Sequence, residues 1–92
     1  MPVQSSVYTL GGTVATRVVT PDNMPQQVIL HNMTKSSNEY IHIGGSDVTT
    51  ANSIHLDPGQ TIDMVLGPLD DLWAVSDPSG LELGVLTIQK LD

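Results

Sequence analysis

Cysteine and phenylalanine are absent from this 92-residue chain, and three lysines and arginines stand against ten acids. Without cysteine there are no disulfides and no thiolate metal sites. With a net charge of −7 the chain repels phosphate backbones, which argues against a nucleic-acid partner. No apolar run approaches the roughly 20 residues a membrane helix needs. The start, Met-Pro-Val-Gln-Ser-Ser, lacks the basic and apolar regions of a signal peptide, so synthesis in the cytoplasm is the expectation. Aromatics are confined to Tyr8, Tyr40 and Trp73, too few for a stacking platform.

Catalytic patterns are missing too. Neither Gly-x-Ser-x-Gly nor a Gly-rich phosphate loop occurs. His31, His42 and His55 fall on separate predicted strands without ligand-like spacing. Asp47, Asp57, Asp70, Asp71 and Asp77 fall at predicted turns, where aspartate bonds its own backbone. Adjacent Asp70 and Asp71 point apart in such a turn, which speaks against a shared-proton pair. The reading is a non-enzyme with no cofactor, no metal and no catalytic residue.

What is present is strand and turn chemistry. The chain is organised around Tyr40–Leu66. Ile41 and Ile43 share one face of a strand, with Tyr40, His42 and Gly44 on the other. Gly44-Gly45 stops it. Ile54–Leu56 then runs into Asp57-Pro58-Gly59, where proline second and glycine third predict a type II turn. Ile62, Met64 and Leu66 alternate with Thr61, Asp63 and Val65.

Upstream, Val3–Leu10 and Thr13–Thr20 flank Gly11-Gly12, which reads as a hairpin. Gln27–Met33 is nearly continuously apolar, as in a strand buried on both faces. Downstream, Leu72–Ser76 is apolar on both faces and should be central. Asp77-Pro78-Ser79-Gly80 fits a type I turn. In the final strand, Leu81–Leu91, Leu83 and Val85 oppose Leu86 and Ile88 by parity, which predicts a bulge near Gly84.

No stretch repeats apolar residues at helical spacing. Strands recurring with turn signals every 8–12 residues predict an all-β fold, a small antiparallel β-sandwich or barrel of seven to eight strands. Residues 1–92 read as a single domain, with 1–20 an N-terminal hairpin or arm able to pair with a neighbouring subunit. Ile43, Ile62, Met64, Leu72 and Val85 are the expected core.

The run YIHIGGSDVTTANSIHLDPGQTIDMVLGPLDDLWAVSD resembles small structural proteins of tailed bacteriophages, of the head-decoration and head-fibre type, over roughly residues 28 to 88. Its matching motifs are turns and strands. Such sequences often carry Asn-Gly before the Ile-x-Leu run, where this chain has Asn52-Ser53. The resemblance implies a capsid decoration protein on the virion surface, binding the major capsid protein and stabilising the head. The alternative is a tail or fibre-associated receptor-binding module.

Charge distribution adds a docking model. Residues 1–46 balance Asp22 and Glu39 with Arg17 and Lys35, whereas residues 47–92 carry the whole −7. The neutral half, with Tyr8, Arg17 and Tyr40 as interface residues, would dock, and the acidic half would face solvent. A core poor in aromatics and a nearly uncharged N-terminal region predict self-association, with a homotrimer as the expected form.

Overall fold

The computed structural model describes residues 3–89. It holds eight strands: β1 (Val3–Thr9), β2 (Thr16–Val19), β3 (Gln26–Asn32), β4 (Tyr40–Gly44), β5 (Ile54–Leu56), β6 (Thr61–Leu66), β7 (Leu72–Asp77) and β8 (Glu82–Gln89). Among the described residues there is no helix. The strands form two antiparallel four-stranded sheets. Sheet A has the order β1-β8-β3-β6 and sheet B the order β2-β7-β4-β5. This is the eight-stranded jelly-roll arrangement, a sandwich as the turn spacing predicts.

Period-two alternation places one face of each sheet inward. Sheet A contributes Val28, Leu30, Leu83 and Val85, and sheet B contributes Ile41, Ile43, Leu56, Leu72 and Ala74. Leu30, Ile41, Leu56 and Leu83 are completely buried. Ile62 and Met64 pack against this core from the β6 edge and stay partly exposed. β3 and β7 each lie between two neighbours, but β3 is buried on its inner face only, with Ile29 half-buried and His31 exposed on the outer one.

Local turn signals mislead at three points. Gly11-Gly12 does not close a hairpin: β1 pairs with β8 in sheet A, and β2 pairs with β7 in sheet B. The glycines instead carry the chain from one sheet to the other. The crossing is held by Ser76 N–H donating to the Gly11 carbonyl (3.0 Å) and Gly80 N–H to the Leu10 carbonyl (2.8 Å). No bulge forms at Gly84, since β8 keeps an unbroken register with both β1 and β3. The bulge lies in β2, between Arg17 and Val19, and buries Val18 and Val19 together. The Asp77–Pro78 peptide bond is cis, unlike the trans bond of the expected type I turn.

The Asp57–Gln60 turn forms as predicted. Gly59 has φ +76°, and Gln60 N–H donates to the Asp57 carbonyl at 3.0 Å. Its role is a crossover, because β5 belongs to sheet B and β6 to sheet A. Of all the connections, β4 to β5 alone stays within one sheet. Gly44 ends β4 for a packing reason: a Cβ there would lie 3.1 Å from the Val48 side chain. The β4–β5 loop thus lays buried Val48 over the outer face of sheet B.

Candidate interaction surfaces

The outward residues of sheet A form a broad apolar face. Across the strands, Val3 aligns with Ile88 and Gln27, and Gln27 with Val65. The next row aligns Ser5, Leu86, Ile29 and Asp63. The third aligns Val7, Gly84, His31 and Thr61. Val3, Val7 and Val65 are more than half exposed, at 61%, 56% and 60%. Ile29, Leu86 and Ile88 are half-buried between them.

Gly84 leaves a gap in this face. The result is a shallow trough of about 480 Å³, walled by Val7, Ile29, Met33 and Leu86. Charge stays at the margins, with Asp63 on the β6 edge and Glu82 beyond the Val7 row. His31 Nδ1 and Thr61 Oγ1 satisfy each other at 2.8 Å. Contiguous apolar surface of this kind marks an interaction site more often than scattered exposed residues do.

Sheet B carries a smaller polar hollow of about 340 Å³, lined by Tyr40, His42, His55, Asp57 and Asp77. The Tyr40 and His55 rings meet edge to face at 5.5 Å. His42 and His55 are cross-strand partners, with ring centroids 6.0 Å apart. His55 Nε2 lies 3.2 Å from Asp57 Oδ1. His42 Nδ1 pairs with Ser53 Oγ at 2.9 Å, while its Nε2 is buried without a partner. Burial holds the His42 pKa below its usual value, helped by the nearby His55 and opposed by Asp77. Among the described residues, no group of three metal-ligating side chains is placed to hold an ion.

The residues singled out from sequence separate in space. Tyr8 lies on the inward face of β1 and packs against the core. Arg17 and Tyr40 are on sheet B, where Arg17 pairs with Trp73 and Tyr40 with Asp77. Four positions along β7 and two strand spacings across it put those two about 16 Å apart. Tyr8, Arg17 and Tyr40 therefore do not compose one docking face. Of the histidines, the fold brings His42 and His55 together and puts His31 on the other sheet.

The acidic half does not become an acidic face either, because strands from both halves alternate in each sheet. Most of the acids sit in loops instead, while Asp63, Asp77 and Glu82 lie on strands. Asp22 Oδ1 accepts from Met24 N–H (3.0 Å) and Gln89 Nε2 (2.9 Å). Asp70 Oδ2 accepts from Gly67 N–H at 3.1 Å, whereas Asp71 faces Arg17 at 3.9 Å. The sequence did contain a sign of the sheet A face: the two-sided apolar parity of β8, which the bulge reading explained away.

No protein-family model matches the chain, and no curated protein does. Among solved structures it is similar to a protein of Bacillus endospore appendages, described as a novel family of disulfide-linked pili. That likeness has a TM-score of 0.60 and 11% identity, over 99% of this chain and 87% of the other. At such identity it is a likeness of fold. It agrees with the small all-β sandwich described above.

Proposed function

We propose that this protein is a non-enzymatic structural subunit that decorates the head of a tailed phage, docking sheet A on the major capsid protein. The observation that carries this reading is the apolar outer face of sheet A, flanked by acids at its margins and in the loops. An apolar centre with a polar rim is the anatomy of a protein–protein interface. The sequence resemblance supplies the phage setting. The pilus protein adds that a sandwich of this shape can serve in a repeating assembly.

A protein that binds only the assembled shell stabilises it by its binding free energy. Shell reinforcement then needs no chemistry from the bound module. Its address is the virion surface, after synthesis in the host cytoplasm. Heads assembled without it should form, yet release DNA at a lower temperature, and added protein should restore them. Leu86→Lys, placed at the centre of the face, should fold but fail to restore. Equal heat stability of bare heads, or rescue by Leu86→Lys, would refute the reading. The hollow around Tyr40 and His55 favours the second reading, a tail or fibre module that recognises a receptor. Labelled protein at the tail tip would support that one.

A further inference from the structure

A jelly roll has four edge strands, and here three of them are protected against pairing with another chain. β2 has four residues, a bulge and Arg17, which faces Asp71. β5 has three residues and runs straight into Asp57-Pro58. β6 carries Asp63 at its middle. Short length, bulges, proline and charge are the devices that keep edges single. Within the strand itself β1 has none of them, Pro2 standing before it in the sequence. Its seven residues, Val-Gln-Ser-Ser-Val-Tyr-Thr, include no charge and no proline. Its register with β8 is unbroken, so it runs straight.

We infer that β1 is a self-association edge, pairing antiparallel with β1 of a second copy about a two-fold axis through Ser5. The register is self-complementary. Val3 would face Val7 of the partner subunit, Gln4 would face Ser6 of the partner subunit, and Ser5 would meet its own equivalent. Both valines project from the outer face and are more than half exposed in the single chain. Pairing would shelter them and satisfy the free backbone groups along the strand. It would also join two copies of sheet A into one eight-stranded sheet with a continuous apolar outer face. A two-fold contact closes on itself, so the product is a dimer rather than a fibre. Pairing β1 with β6 of another copy would instead leave open ends and would set β1 against Asp63. This edge is distinct from the face proposed to dock on a capsid, so either assignment can fail alone.

Sedimentation of the full chain at micromolar concentration should give about twice 9.8 kDa. The dimer should strengthen with added salt, since each copy carries −7. Ser5→Lys sets two like charges opposite each other across the axis and should weaken association about tenfold or more. Because the chain has no cysteine, Ser5→Cys offers an independent reading: mild oxidation should trap a covalent dimer. Val65→Cys, also at an exposed position but on the β6 edge, should not be trapped. A monomer, a trimer or an open polymer in sedimentation would overturn the proposal. So would cross-linking of Val65→Cys as readily as Ser5→Cys.

Discussion

The side-chain amide of Asn32, at the end of β3 in sheet A, donates to the carbonyl of Leu56, at the end of β5 in sheet B, at 3.2 Å. Asn32 is fully buried, and all of its capacity is used. Its amide also donates to the Glu39 carbonyl (3.0 Å), and Oδ1 accepts from Thr34 N–H (3.1 Å) and Thr34 Oγ1 (2.7 Å). One side chain therefore ties both sheets and the β3–β4 loop at one end of the sandwich.

Asn32→Ala removes these bonds and takes the side-chain donor from the buried Leu56 carbonyl. A loss of about 2–4 kcal/mol follows, since stranding a buried polar group costs its desolvation. For a domain of this size that is a fall in Tm of about 10–20 °C. Calorimetry checks it, and an unchanged Tm would mean that water enters the site freely.

The direction of β8 gives a paired test. Leu83 is fully buried and Leu86 faces outward, half-buried. Leu83→Ala should cost about 3–4 kcal/mol, within the usual range for a buried leucine. Leu86→Ala should cost less than about 1 kcal/mol in the isolated protein. Urea unfolding of the two variants measures both, and a reversed order would put the strand in the opposite register.

Two glycines are held for different reasons, and alanine separates them. Gly59 has φ +76° and open space where a Cβ would go. Gly59→Ala should thus cost about 1–2 kcal/mol from backbone conformation alone. At Gly44 the obstacle is Val48, 3.1 Å from the would-be Cβ. Adding Val48→Ala should relieve Gly44→Ala in a double-mutant cycle, and should not relieve Gly59→Ala. Independent effects at Gly44 and Val48 would contradict this packing.

Stability should fall on mild acidification because of His42. Its pKa in the fold lies below its ordinary value of 6.5, so the unfolded chain takes up the proton first. The linkage sign is then fixed. Stability is flat above that value and drops as the pH falls from 6.5 toward the lower folded value. The surrounding charges are His55, which deepens the shift, and Asp77, which resists it. Tm measured from about pH 7.5 to about pH 5.5 should decline in the wild type and decline less in His42→Gln. Parallel curves would assign the acid sensitivity to other groups.

Most of the strands were legible because alternation and turn residues are local signals. Tyr40–Gly44, Ile54–Leu56 and Thr61–Leu66 lie where the sequence pattern put them. The sheet to which each strand belongs was not legible. Gly11-Gly12 suits a hairpin and a crossover equally well, and only the distant partners of β1 and β2 decide. The same limit hid the interaction face. Val7, Ile29 and Leu86 lie far apart in the chain, and they become neighbours only once β8 enters between β1 and β3. Tyr8 looked like an exposed anchor because its residue type fits one, yet strand parity turned it inward.

Pairing β1 with β8 sets the timing of folding. Val3 must wait for Ile88, 85 positions further along, before its side of sheet A exists. During synthesis the first strand is therefore unpartnered until the eighth emerges, at roughly 5–20 residues per second. Such long-range closure slows folding, because loop entropy is lost before the contacts that offset it form. The nascent chain spends that interval with β1, an uncharged strand competent to pair, still without its partner. A crowded polysome making this protein would be the place where copies first meet.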